Sequence, residues 1–82
     1  MIFLIEYDRH RGRMISLREF ADSEQQQARV ARLQREIELH YLKTEREVVL
    51  LEATTEEALR RTHRRYFESL PELVNSFIEA LT

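Results

Sequence analysis

The sequence predicts an α+β domain: a three-stranded sheet in strand order 2-1-3, made from an N-terminal hairpin plus one crossover strand and packed by two or three amphipathic helices, ββαβαα overall. Three observations lead there. Two stretches rich in apolar residues, 2–7 and 14–20, flank a polar segment that holds the chain's single glycine, the pattern of a hairpin. The run Val48-Val49-Leu50-Leu51 follows about twenty residues without a helix breaker, as expected for a strand reached by a helical crossover. Finally Leu70, Leu73, Val74, Phe77, Ile78 and Leu81 recur at the spacing of one helix face.

In the first strand, Ile2 to Tyr7, apolar side chains fall on both faces, which suits a central position. Asp8-Arg9-His10-Arg11-Gly12-Arg13 turns the chain into the second strand, Met14 to Phe20. Pairing Tyr7 with Ile15 and Ile5 with Leu17 places Phe3, Ile5, Tyr7, Ile15 and Leu17 on the core side, and a one-residue slip would bury Ser16 and Arg18 instead.

Asp22 or Ser23 is the expected N-cap of a helix running to about Leu42, with Gln25 or Gln26 in the capping-box position. Val30, Leu33, Ile37 and Tyr41 share one stripe, which is expected to face the sheet. The third strand, Glu47 to Ala53, then returns parallel to the second on the far side of the first. Thr54 with Glu57 opens a second helix, from about Thr55 to Phe67, offering Ala58, Leu59, Thr62, Tyr66 and Phe67 for packing. Ser69 with Glu72 opens a third, with Pro71 tolerated in its first turn; the two are either separate or one helix kinked before Pro71.

Composition narrows the function. Eighty-two residues, 43% hydrophobic and 34% charged, indicate one globular domain, 1–82, with a thin core, so self-association is expected. With no cysteine, disulfides, thiolate nucleophiles and cysteine zinc sites are excluded, and a cytoplasmic location is expected. Residues 1–5 are too short an apolar run for a signal sequence or membrane span. His10, His40 and His63 lack metal-ligand spacing, no glycine loop cradles a phosphate, and the serines lack a nucleophile-elbow context, so neither a metal nor another cofactor is expected.

Two surfaces remain. The sheet face away from the helices would carry Ile2, Leu4, Val48 and Leu50 at one end and Glu6, Arg18 and Glu52 near the other; unless the third helix wraps around to cover it, this face is a protein interface, most simply between two copies. The Glu6, Arg18 and Glu52 trio is better read as rim charges than as an acid–base pair. The hairpin tip offers Arg9, Arg11 and Arg13 to a phosphate backbone, against a net charge of −2 and without a stacking platform beyond Tyr7. A second basic run, Arg60-Arg61-Thr62-His63-Arg64-Arg65, is expected to pair locally with Glu56, Glu57 and Glu68. The expectation is therefore a non-enzymatic protein-interaction domain, homodimeric, with nucleic-acid binding as the alternative and a small-molecule or enzymatic pocket as the third possibility.

Overall fold

The structure, a computed structural model, describes residues 1–68 and 78–81. Three strands, β1 (Ile2–Asp8), β2 (Arg13–Phe20) and β3 (Glu47–Glu52), form one sheet in the order β2-β1-β3. Both neighbours run antiparallel to β1, so β3 is parallel to β2, as the crossover requires. Helix α1 (Gln25–Leu42) connects β2 to β3, and α2 (Glu56–Thr62) follows β3. Single 3₁₀ turns sit at Asp22–Glu24 and Arg64–Tyr66. The predicted third helix lies outside the described residues except for residues 78–81, which are helical.

The hairpin register is Ile5 opposite Leu17, as predicted, with Leu4 opposite Arg18 and Glu6 opposite Ser16. Between Glu6 and Tyr7 the register shifts by one, so Met14 rather than Ile15 faces Tyr7. Such a bulge leaves one residue outside the ladder, and Ile15 is 40% exposed instead of lying in the core. The tip is held by Asp8, whose carboxylate accepts the backbone N–H groups of His10 and Arg11 at 3.0 and 3.1 Å. Gly12 takes φ 65 and donates its N–H to the Asp8 carbonyl at 2.8 Å, a conformation that costs a residue with a Cβ more than it costs glycine.

Both faces of the sheet are covered. On one, Phe3, Ile5 and Tyr7 pack with Leu59 of α2 and with Tyr66, and Met14, Leu17, Val49, Leu51 and Phe67 complete the cluster. Tyr7 and Tyr66 meet edge to face at 5.2 Å. On the other, Ile2, Leu4, Phe20 and Leu50 pack against Ala28 and Ala31 of α1. The face expected to be open or to be closed by the third helix is therefore covered by α1, while the shorter α2 takes the side assigned to the long helix.

This arrangement turns α1 around relative to the sequence reading. Ala28 and Leu39 are buried and Ala31 packs on the sheet, whereas Val30, Leu33, Ile37 and Tyr41 are 42, 56, 48 and 81% exposed. The helix start also differs. Asp22 and Ser23, the expected N-caps, lie instead in the 3₁₀ turn that leads into α1; Ala21 is the N-cap of that turn, its N–H donating to the Glu24 carboxylate at 2.8 Å, and Glu24 itself is the N-cap position of α1. At the C-terminus Lys43 adopts the left-handed conformation, φ 53, and the N–H groups of Lys43 and Thr44 cap the carbonyls of His40 and Leu39.

Helix α2 begins one residue later than predicted. Thr55, not Thr54, is its N-cap and accepts the Ala58 N–H at 3.0 Å. It ends at Thr62, whose hydroxyl bonds back to the Ala58 carbonyl at 3.0 Å, instead of continuing to Phe67.

Candidate interaction surface

The charged residues of β1 explain the orientation of α1. Glu6 and Asp8 point to the α1 side and are only 4 and 3% exposed. A buried carboxylate is tolerable only with partners, and α1 supplies one. Arg35 donates two hydrogen bonds to Glu6, Nε to Oε1 at 2.6 Å and Nη2 to Oε2 at 3.2 Å, and a third to Glu38 at 2.9 Å. These carboxylates raise the pKa of the Arg35 guanidinium further, with Glu6 the larger influence. Arg46, in the connection before β3, lies 3.4 Å from both Glu6 and Asp8. The backbone N–H of Arg11 above all, helped by Arg46 and His10, outweighs burial and holds the Asp8 carboxyl below its ordinary range.

The inward stripe of α1 is thus Ala28, Ala31, Arg35 and Leu39: two small residues at the apolar end of the sheet and a cation over its acidic end. At about 100° per residue these four span an arc of about 80°, and Val30, Leu33, Ile37 and Tyr41 span a second arc of similar width on nearly the opposite side. A helix that packs on a sheet by one stripe and still carries four large apolar residues on the other has two hydrophobic faces, of which the structure covers one. Exposed apolar residues scattered singly are ordinary, but a contiguous stripe of them marks a contact surface.

Charge borders the outer stripe unevenly. Arg29 and Glu36 lie along one side, seven residues apart and therefore nearly in line, while Gln27 and Gln34 lie along the other. Arg32 approaches Glu36 at 3.8 Å as an exposed i,i+4 pair. Among the described residues no helix is long and apolar enough to cross a membrane.

The seven residues read as a sheet interface are separated by this geometry. Ile2, Leu4 and Leu50 lie beneath α1 and Val48 is half-buried. Glu6 is held by Arg35 and Arg46, Arg18 lies over the Phe20 ring at 4.7 Å, and Glu52 stands opposite Ile2 at the other end of β1. A groove of about 410 Å³ between α1 and β2 contains Glu6 and Arg18 but not Glu52, so the trio does not converge.

The basic hairpin tip is tied down. Arg9 donates to Glu47 at 3.2 Å and Arg11 lies 3.7 Å from Asp8, leaving Arg13 at the start of β2. Glu47 also accepts the Tyr66 hydroxyl at 2.7 Å and an Arg65 N–H at 2.9 Å. Burial pushes Glu47 up, but Tyr66, Arg9 and Arg65 together bring its carboxyl below the usual range; burial and the same hydrogen bond push the Tyr66 phenol up. Of the second basic run, Arg60 and Arg61 of α2 pair with Glu56 and Glu57, and Arg64 of the following 3₁₀ turn pairs with Glu68, as expected, while Arg65 reaches Glu47.

A cleft of about 620 Å³ opens where the hairpin tip, the end of α1 and the start of β3 meet. Four of its polar residues are engaged in pairs, Arg9 with Glu47 and His10 with Glu45 at 3.3 Å. Neither His40, exposed and edge-on to Tyr41, nor His63, 2.9 Å from the Thr62 hydroxyl, joins a ligand set, and among the described residues no group of three histidine, aspartate or glutamate side chains is placed to hold a metal ion. Sequence periodicity had identified the outer stripe as an apolar face; it missed the partner of that periodicity, because alanines and an arginine do not register as a core-facing stripe.

Compared with known proteins, the chain matches no family model, no curated protein and no solved structure.

Proposed function

We propose that this chain is a non-enzymatic protein-interaction domain whose docking surface is the outward face of α1, Val30, Leu33, Ile37 and Tyr41. One observation carries the reading: the helix satisfies the sheet with Ala28, Ala31, Arg35 and Leu39, and yet presents a second set of large apolar residues to solvent. Leaving four such side chains in water forfeits about 1.5 kcal/mol or more for each one that a partner would fully cover. The sheet, by contrast, is occupied on both faces, and Arg9 and Arg11 of the hairpin tip already have carboxylate partners, which weakens the nucleic-acid reading. A cytoplasmic location belongs to the same proposal and rests on the cysteine-free composition.

The test is site-specific photo-crosslinking in living cells. A photoreactive phenylalanine analogue at Tyr41 is expected to give a discrete adduct, and the same analogue at Glu57 on the far side of the sheet is expected to give none. Absence of an adduct at Tyr41, or identical adducts from both positions, would overturn the assignment of this surface.

A further inference from the structure

Resting on that docking surface, we propose that its occupant is a second copy of this chain, with the two α1 helices lying antiparallel so that Arg29 of each faces the partner's Glu36. The spacing of the outer stripe is that of a helix–helix seam. With Val30 at position a of a heptad, Leu33 falls at d, Ile37 at the next a, and Tyr41 at the following e, beside His40 at d. Arg29 and Glu36 then both occupy g, and Gln27 and Gln34 both occupy e.

The flanking charges choose among partners and orientations. In a parallel pair each g position faces an e position, and Arg29 and Glu36 would meet glutamine or Tyr41. In an antiparallel pair g faces g, so one cation and one anion on the same edge become complementary to themselves under a two-fold rotation. Arg29 meets the partner's Glu36 at one end, and Glu36 meets the partner's Arg29 at the other. An edge carrying one charge of each sign, seven residues apart, is self-complementary in this orientation alone. The opposite edge, glutamine on both copies, places no like charges together.

Of the residues described up to Glu68, those that follow β3 pack on the sheet face away from α1, with Leu59, Tyr66 and Phe67 against Phe3, Ile5 and Tyr7, so the sheet stands between them and the outer stripe. The contact is small: with Arg29 opposite the partner's Glu36 the two-fold lies between residues 32 and 33, so Val30 packs on Leu33 of the partner subunit, Ile37 reaches Gln26 of the partner subunit and Tyr41 lies at the edge of the seam, and a weak and reversible dimer with a Kd on the order of 10–100 μM is expected.

Analytical ultracentrifugation of the intact chain at low salt, from about 1 μM to about 1 mM, tests this with charge variants. Wild type is expected to pass from monomer to dimer across that range. Arg29→Glu and Glu36→Arg each replace two attractions with two repulsions and are expected to raise the Kd about tenfold, while an equimolar mixture of the two variants, and the double variant R29E/E36R, return to the wild-type value. Circular dichroism establishes that each variant is folded. A wild type that stays monomeric throughout overturns the second copy as occupant; if the Tyr41 adduct then has the mass of a different protein, the docking surface stands and only its partner is wrong. A wild-type dimer whose charge variants are not rescued by mixing overturns the antiparallel arrangement. A dimer that survives Ile37→Asp overturns the surface itself.

Discussion

Arg35 of α1 holds Glu6 of β1 through two hydrogen bonds, at 2.6 and 3.2 Å, across the interface between helix and sheet. That pair fixes which way the helix faces. Glu6 is 4% exposed at a central-strand position, and a helix presenting only aliphatic residues there would leave its charge in an apolar layer.

Arg35→Met keeps much of the aliphatic stem but removes the principal partner of Glu6. Because the Arg35 side chain is 36% exposed and Arg46 remains 3.4 Å from Glu6, the loss is smaller than for a fully buried pair, about 2 kcal/mol by urea unfolding. Adding Glu6→Leu to the same chain is expected to recover about half of that, since the uncompensated carboxylate is then gone. A loss below about 0.5 kcal/mol in the single variant would contradict this role for the pair.

Leu59→Ala empties a fully buried position between α2 and the Phe3, Ile5 and Tyr7 face. The expected cost is about 3 kcal/mol, from lost burial and the cavity left behind, measured by the same unfolding curves.

Lys43→Gly is expected to stabilise. Lys43 sits at φ 53, where a side chain costs about 1 kcal/mol, and glycine removes that strain while adding freedom to the unfolded chain. The net gain is about 0.5 kcal/mol, readable as a rise in the thermal midpoint. A fall would mean that the lysine side chain makes a contact worth more than the backbone strain.

Acid weakens the fold through Asp8 and Glu47. Both have folded pKa values below their ordinary 3.8 and 4.5, so the stability they contribute is present above those ordinary values and is lost as pH falls through the lowered ones. Urea midpoints are therefore expected to drop as pH falls below about 4.5, and Glu47→Gln to flatten part of that slope. Tyr66 acts at the other extreme: its raised pKa means that stability declines as pH climbs past about 10, where the unfolded phenol ionises first.

Much of the sheet was legible in the sequence because strands obey a strict alternation. The two-sided apolar character of residues 2–7 placed β1 in the centre, and pairing Ile5 with Leu17 fixed the faces of the hairpin. The bulge that expels Ile15 was not legible, since one extra residue in β2 leaves no compositional trace. The orientation of α1 was misread for a more instructive reason. Periodicity reports where large apolar residues lie, and on this helix they lie away from the sheet; the true inner stripe is marked by small size and by a charge whose partner, Glu6, sits twenty-nine residues earlier. The signal that was available is the pairing itself, a glutamate in the middle of a central strand and an arginine among alanines on the crossover helix. The open sheet face followed from the same misreading, and with α1 in its place the exposed apolar surface moves from strand to helix.

The facing of α1 is tested most directly by comparing Ile37→Asp with Leu39→Asp, two neighbouring aliphatic positions on opposite sides of one helix, by urea unfolding in dilute solution where self-association is negligible. Ile37→Asp is expected to leave stability within about 0.5 kcal/mol of wild type, and Leu39→Asp to lose about 3 kcal/mol or more by burying a carboxylate against the sheet. The reverse order, with the Ile37 variant unfolded and the Leu39 variant tolerated, would contradict the helix orientation on which the docking surface depends.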